Sequence, residues 1–305
     1  MTPGRLIVIT GPTASGKSRL ALQTARRLGG EIVSVDSMQI YRHLEIGTAQ
    51  PTPEERREVP HHLVGEYEFD VRLNVYDYTE LARRAIESIW HRNRVAVAAG
   101  GTGFYLKALL YGLDDLPGDN DLRKRLDNEY DRPEMEEALH RRLLELDPRA
   151  AEQFRQCRRR MIRALEVHLI TGKSILDLRQ GIKTPPRYPH AEVYRLDLPP
   201  ETLKERIAQR CDKMLADGWI AEAEAALKLG LLESPTARQA LGYRQIADYL
   251  AGKYGMSELR KRIAAATWQF ARRQRTWFAH QHPEAKVLTA ASENDLQSEG
   301  NRCIL

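Results

Sequence analysis

Arg5-Leu-Ile-Val-Ile-Thr10 runs without a break into Gly11-Pro12-Thr13-Ala14-Ser15-Gly16-Lys17-Ser18, and a helical pattern follows from Leu20 to Leu28, closed by Gly29-Gly30. A short apolar run rich in β-branched residues is a buried strand. Strand, G-x-x-x-x-G-K-[ST] loop and helix in that order make a phosphate-binding P-loop. Successive backbone N–H groups and a helix N-terminus converge there on an anion, the glycines allow close approach, and Lys17 adds a point charge. Ser18 stands where a magnesium ligand is expected. The loop implies a ligand with two or more linked phosphates and leaves its chemistry open.

Outward from this loop, residues 31–36 and 94–99 read as two further buried strands, with a helical pattern over 77–92 between them, and Tyr194–Leu198 as a fourth. Strands alternating with helices predict an α/β fold: a P-loop NTPase-like parallel sheet flanked by helices, with ligands at its carboxyl edge. From 115 to 190 strand signals vanish and Arg/Glu/Leu helices take over, which predicts an all-helical insertion domain. Residues 1–114 and 191–285 then form the core, with long helices over 201–229 and 257–279. Residues 286–305 are expected to be a flexible tail.

The chain has 305 residues, 29% of them charged and 42% hydrophobic. No apolar run approaches membrane-spanning length, and a strand beginning within five residues of the N-terminus leaves no room for a signal peptide. Cys157, Cys211 and Cys303 form no metal-like or disulfide pattern. The expected compartment is the cytoplasm, and the expected state a monomer. Net charge is +5, and it is unevenly placed. Arg123, Lys124, Arg125, Arg141, Arg142, Arg149, Arg155, Arg158, Arg159, Arg160 and Arg163 crowd the middle. Arg260, Lys261, Arg262, Arg272, Arg273 and Arg275 crowd the last helix. Such clusters are either solvated faces or the footprint of a polyanion.

Three positions outside the P-loop are candidates for chemistry. Asp36 ends the second strand and fits either an N-cap or a general base beside the phosphates. Gly100-Gly101-Thr102-Gly103 ends the third strand, and its glycines suggest a turn or a backbone pressed against a ligand. No Walker B acid stands there, which weakens a kinase reading. Arg210 falls within the stripe Leu203, Ile207, Met214 and Leu215, with Arg206 at its margin. An arginine on a core-facing stripe meets either a structural carboxylate or a bound anion. In the last helix Leu259, Ile263, Phe270 and Trp277 share one side, read as core.

Taken together, the P-loop, Asp36-Ser37-Met38-Gln39-Ile-Tyr41, Ile46-Gly-Thr-Ala49, Gly100-Gly-Thr-Gly-Phe-Tyr105, Arg163-Ala-Leu-Glu166, Leu241-Gly242-Tyr243-Arg244 and Arg273-Gln274-Arg-Thr-Trp277-Phe278 resemble, in order and spacing, the tRNA dimethylallyltransferases. The resemblance covers about residues 5 to 280. It implies transfer of a dimethylallyl group from dimethylallyl diphosphate to N6 of adenosine 37, next to the anticodon. The helical insertion would grip the anticodon stem-loop, and Mg²⁺ would sit at Ser18. It also implies that the P-loop binds the donor's diphosphate, with Thr102 hydrogen-bonding it and Arg210 clamping it, and that Asp36 is the base. The tRNA-contacting positions it implies are Asp36 to Gln39, Arg159, Arg160, Met161, Ile162, Arg163, Gly242, Tyr243, Arg244, Arg273, Gln274 and Trp277.

Three departures touch the implied grip. Gln156-Cys157 stands where the family usually has Asn-Asp, Gln50 replaces a lysine, and Trp268 replaces an arginine. The zinc-finger extension of eukaryotic relatives is absent. The alternatives are prenyl transfer to free AMP or ADP, a P-loop small-molecule kinase, and a nucleotide-gated RNA-binding protein. The basic clusters argue against the first, and the missing Walker B acid against the second.

Overall fold

The computed structural model describes residues 4–114, 116–179, 186–282 and 284–289. Strand β1 (Leu6–Thr10) is followed by α1 (Lys17–Leu28), β2 (Glu31–Ser34), α2 (Pro53–Glu58), β3 (His61–His62), α3 (Val75–His91), β4 (Ala96–Gly100) and α4 (Gly103–Tyr111). Five helices then form a separate compact unit: α5 (Asn120–Tyr130), α6 (Glu136–Leu146), α7 (Pro148–Phe154), α8 (Arg158–Thr171) and α9 (Ile175–Leu178). The chain returns as β5 (Glu192–Asp197), α10 (Pro200–Ala216), α11 (Trp219–Lys228), α12 (Tyr243–Leu250), α13 (Met256–Gln281) and β6 (Lys286–Thr289). The two units are residues 1–111 with 186–305, and residues 112–185, so the divisions fall a few residues before the expected 114/115 and 190/191.

In the first unit one sheet runs β3-β2-β4-β1-β5-β6 with every pairing parallel. All six carboxyl ends therefore lie on one edge. Both faces are covered, as continuous apolar strands require. Ile7, Ile9, Ile32, Val97 and Leu196 pack with α1 and α10 on one side. Leu6, Val8, Val33, Ala96 and Ala98 pack with α3, α4 and the ends of α13 on the other. The helices have local starts: Gly16 caps α1 at φ +95°, Thr52 and Glu55 form a capping box for α2, and Asn74 with Asp77 does the same for α3. The second unit has its own core, formed by Leu126, Leu139, Leu143, Phe154, Met161, Ile162 and Leu165.

Three expectations fail here. The long helix over 201–229 is two helices, α10 and α11, because Gly218 sits in the left-handed region at φ +102° and turns the chain. Residues 286–289 are not tail but the edge strand β6, hydrogen-bonded to β5 with Leu288 buried. The remainder of that segment lies outside the described residues. Phe270 is 37% exposed rather than core.

Candidate active site

The P-loop joins the end of β1 to α1, so it stands at the centre of the sheet's carboxyl edge. Gly16 and Ala14 both take positive φ, the turned backbone on which a phosphate-binding loop depends. Two side chains shape the loop. Ser15 is fully buried and its Oγ has no partner among the described residues. Gln274, on α13, accepts from Thr13 N–H at 2.8 Å and donates to Gly101 O at 2.8 Å, tying the P-loop to the loop after β4. Lys17 donates to Pro12 O at 3.3 Å. Burial, then the nearby Arg210, lowers the Lys17 ammonium to about 8, with Asp36 opposing the fall.

The ladder between β2 and β4 continues past the strands and brings two candidates together. Val35 N–H donates to Ala99 O at 2.7 Å, and Thr102 N–H to Val35 O at 3.1 Å. Ser37 N–H then donates to Thr102 Oγ1 at 3.0 Å. Asp36 lies inside this knot. Its Oδ1 accepts from Met38 N–H at 2.9 Å and, more weakly, Gln39 N–H at 3.4 Å. Asp36 thus caps the turn that follows it, yet this engages one oxygen and leaves Oδ2 without a hydrogen bond to any described residue. Asp36 is the acidic influence on Lys17 and Arg210 alike. Burial also pushes Tyr105 up to about 12, with Tyr41 and Asp36 adding to the rise.

Arg210 stands on the inner stripe of α10 with Leu203, Ile207 and Met214 buried beside it. Burial lowers its guanidinium from the usual arginine range, and Asp36 partly compensates. No described carboxylate forms an ion pair with it. Arg206, one turn earlier and given no role from sequence, has Nη1 buried without a partner; its spacing from Arg210 was the available signal. Lys17 and Arg210, near enough to act on each other electrostatically, and the N-terminus of α1 are groups that an anion satisfies. Asp36 adds a proton acceptor at the rim.

The glycines of Gly100-Gly101-Thr102-Gly103 make room for protein rather than ligand. A Cβ on Gly100 would stand 2.0 Å from Val35 O, one on Gly101 2.4 Å from Gln274 Nε2, and one on Gly103 2.1 Å from Trp277 Cδ1. Several residues expected to contact tRNA have internal partners or are buried. Met161 and Ile162 are fully buried in the helical unit. Arg163 pairs with Glu166 at 2.9 Å and donates to Leu116 O at 3.1 Å. Gln39 spans Ser34 Oγ and the carbonyls of Thr48 and Ala49. Gln274 is the buried tie just described. Tyr243 is buried and donates to Glu222 at 2.6 Å, and Gly242 has no room for a Cβ beside Trp219. Gln50 is also structural, donating to Tyr41 O at 2.7 Å.

Arg159, Arg160, Arg244 and Arg273 are exposed; Ser37, Met38 and Trp277 are half-buried. Ion pairs take up much of the arginine clusters: Arg123, Arg142, Arg149, Arg155, Arg158 and Arg163 in the helical unit, and Arg260, Arg262 and Arg275 in the core. Arg272 and Arg273 have no carboxylate partner among the described residues. No described helix is long and apolar enough to cross a membrane.

The IPP transferase family model matches residues 39–281, and the isopentenyl transferase model residues 4–63. A tRNA dimethylallyltransferase of Geobacter metallireducens is 40% identical over 276 residues, which is 90% of this chain and 89% of that protein. The one from Methylococcus capsulatus is 43% identical over 278 residues, 89% of this chain and 88% of the relative. Among solved structures, the tRNA isopentenylpyrophosphate transferase of Bacillus halodurans superposes with TM-score 0.68 at 32% identity, covering 98% of this chain and 95% of that one. A eukaryotic dimethylallyltransferase acting on tRNA gives TM-score 0.82 at 25% identity, covering 98% and 77%.

Proposed function

We propose that this chain, which belongs to the IPP transferase family, transfers a dimethylallyl group from dimethylallyl diphosphate to N6 of adenosine 37 in tRNA, releasing diphosphate. The observation that carries the reading is the placement of Asp36. It lies within the same hydrogen-bonded knot as Thr102 and acts electrostatically on both Lys17 and Arg210. A proton acceptor beside a diphosphate cradle suits alkylation of an amine by an allylic diphosphate.

In this reading the P-loop amides, Lys17 and Arg210 hold the diphosphate. As the C–O bond to the prenyl group breaks, negative charge grows on the leaving oxygen. Fixed donors already aimed at that oxygen stabilise it without reorganisation. The adenine N6 lone pair is delocalised into the ring, so the amine attacks well only if its proton is accepted as the C–N bond forms. Asp36 Oδ2 is the acceptor, while Oδ1 keeps the carboxylate oriented through Met38 N–H. The adenosine must leave its stack to reach this edge. Exposed Arg159, Arg160, Arg244 and Arg273 are candidates for phosphate contacts that fix the register of the RNA.

The residues also fit a magnesium ion carried mainly by the donor. Ser18 presents an exposed hydroxyl in the first turn of α1, and no described residues form a cluster of three acidic, cysteine or histidine ligands. Magnesium held chiefly by phosphate oxygens needs only one or two protein oxygens. When bound it would neutralise charge on the diphosphate.

The test is transfer of radiolabelled dimethylallyl diphosphate to unmodified tRNA or an anticodon stem-loop, with AMP, ADP and ATP controls. Label in RNA, lost when the adenosine 3′ of the anticodon is replaced, is the expected result. Label on free AMP or ADP, or ATP consumption with no label in RNA, refutes it.

A further inference from the structure

Phe104 is 49% exposed although it opens α4, immediately after Thr102 and Gly103. An exposed phenylalanine two residues from a candidate reaction centre needs an account. Its ring stands edge-to-face with Trp277, centroids 6.5 Å apart and planes at 87°. Trp277 is itself held in place: its indole lies over Gly103, where a Cβ would come within 2.1 Å. Trp277 on α13 is therefore packed against the backbone at the start of α4, and Phe104, edge-on to it, offers ring surface to solvent.

The surroundings select the occupant. Beside Trp277 the outer face of α13 forms a depression lined by Gln269, Arg272, Arg273, Thr276 and His280. Arg272 and Arg273 are exposed and have no carboxylate partner among the described residues, unlike Arg275, which pairs with Asp197 at 3.2 Å. Arg273 lies over the Phe270 ring, 5.9 Å from its centroid, which holds the guanidinium along the helix surface. Trp277 joins this depression to Phe104, and arginines without carboxylate partners near an exposed aromatic ring are how proteins hold unstacked nucleotides: cations take the phosphates and the ring takes the base.

We infer that Phe104, braced by Trp277, is a stacking platform for an unpaired anticodon-loop nucleobase that neighbours the extruded adenosine, with Arg272 and Arg273 holding the adjoining phosphates. This rests on the tRNA reading above and adds a base contact to it. Flipping one base leaves its neighbours with an unstacked face. A ring two residues from Thr102 recovers that stacking at the place where it is lost.

The test uses an anticodon stem-loop carrying 2-aminopurine at one position flanking the target adenosine, with full-length wild type, Phe104→Ala, Phe104→Leu and Phe104→Tyr. Thermal melting of each variant checks folding; the exposure of Phe104 makes all three tolerable. Wild type should quench the 2-aminopurine on binding at one flanking position. Phe104→Ala should lose that quench and weaken stem-loop binding about tenfold or more. The KM for dimethylallyl diphosphate and kcat at saturating RNA should hold. Phe104→Tyr should restore both quench and affinity, and Phe104→Leu should not. Unchanged affinity and quench in Phe104→Ala overturns the inference, as does rescue by leucine equal to that by tyrosine, because an apolar filler would then suffice. Failure of wild type to bind or prenylate any stem-loop overturns the tRNA reading itself, a distinct result.

Discussion

Replacing Lys17 with methionine should make the ligand-free protein more stable at neutral pH while destroying its affinity for diphosphate. Lys17 is held at about 8 against an ordinary 10.5, first by burial and then by the positive charge of Arg210, with Asp36 opposing. At about 1.4 kcal/mol per unit this is a penalty of about 3 kcal/mol for keeping the charged ammonium in place. Its folded-state value lies below its unfolded value, so the unfolded chain binds the proton more tightly. The penalty is therefore complete below pH 8 and fades as pH rises from 8 to 10.5. Methionine removes the charge at nearly the same length. It also gives up the hydrogen bond to Pro12 O, worth about 1 kcal/mol. The net gain at pH 7 is about 2 kcal/mol, read as a rise of several degrees in melting temperature. Melting wild type and Lys17→Met in parallel from pH 7 to 10.5 isolates this group, because the other titrations cancel in the difference. The difference should shrink with pH and reverse sign at pH ~10. Inorganic diphosphate should raise the wild-type melting temperature and leave the variant unmoved. A variant that melts at or below wild type at pH 7, or a difference that does not vary with pH, refutes the reasoning.

Four further substitutions test residues one at a time. Asp36→Asn keeps the oxygen that caps Met38 N–H but loses the base, so kcat should fall by about 10²–10⁴ with stem-loop affinity held; equal losses in both would assign Asp36 to binding alone. Arg210→Gln should raise KM for dimethylallyl diphosphate about tenfold or more, and unchanged donor kinetics would remove it from the cradle. Glu222 accepts from Ile46 N–H at 2.6 Å, Gly47 N–H at 2.9 Å and Tyr243 Oη at 2.6 Å, so Glu222→Ala should cost about 2–5 kcal/mol in denaturant unfolding; a loss under 1 kcal/mol would show that water replaces it. Cys157 is the N-cap of α8 and makes no side-chain capping bond. Cys157→Asp should stabilise by about 1 kcal/mol in thermal melting, and no gain would mean that the cap geometry does not admit the carboxylate.

What the sequence made legible follows the range of the forces involved. The P-loop was readable because strand, loop and helix are contiguous and each residue type answers a local need. Three strands, β1, β2 and β4, were readable because a central parallel strand is buried on both faces, and β5 through Tyr194 and Leu196 alternating with polar residues. The two that escaped, β3 and β6, are the edges of the sheet. His61-His62 is only two residues long, and in Lys286-Val287-Leu288-Thr289 only Leu288 is buried. Asp36 and Thr102 were readable as strand-end residues, but their joining through Ser37 depends on the β2–β4 pairing, which spans the distance between two separate segments. The segments shared with the family indicated where the chain is constrained and not why. Met161, Ile162, Tyr243 and Gln274 belong to those segments through packing and internal hydrogen bonds.

That distinction sorts the site by which polar atoms are already spent. Gln274 spends both ends of its amide joining the P-loop to Gly101, Gln39 spends both ends of its amide on Ser34 and the 48–49 carbonyls, and Glu222 spends its carboxylate on the 46–47 turn and Tyr243. These are scaffolding groups, and each fixes a loop at the carboxyl edge of the sheet. Ser15 Oγ, Arg206 Nη1, the Arg210 guanidinium and Asp36 Oδ2 are not spent on any described residue. For the buried pair, Ser15 Oγ and Arg206 Nη1, the missing partner costs free energy unless a ligand completes them. A fold that commits its amide side chains to holding loops, and leaves cations and one carboxylate oxygen unmatched within them, suits the anionic leaving group and the proton of the proposed reaction. In the proposed reaction the two demands of prenyl transfer to an amine would fall on different atoms of one framework, so Asp36→Asn and Arg210→Gln should fail in different kinetic constants.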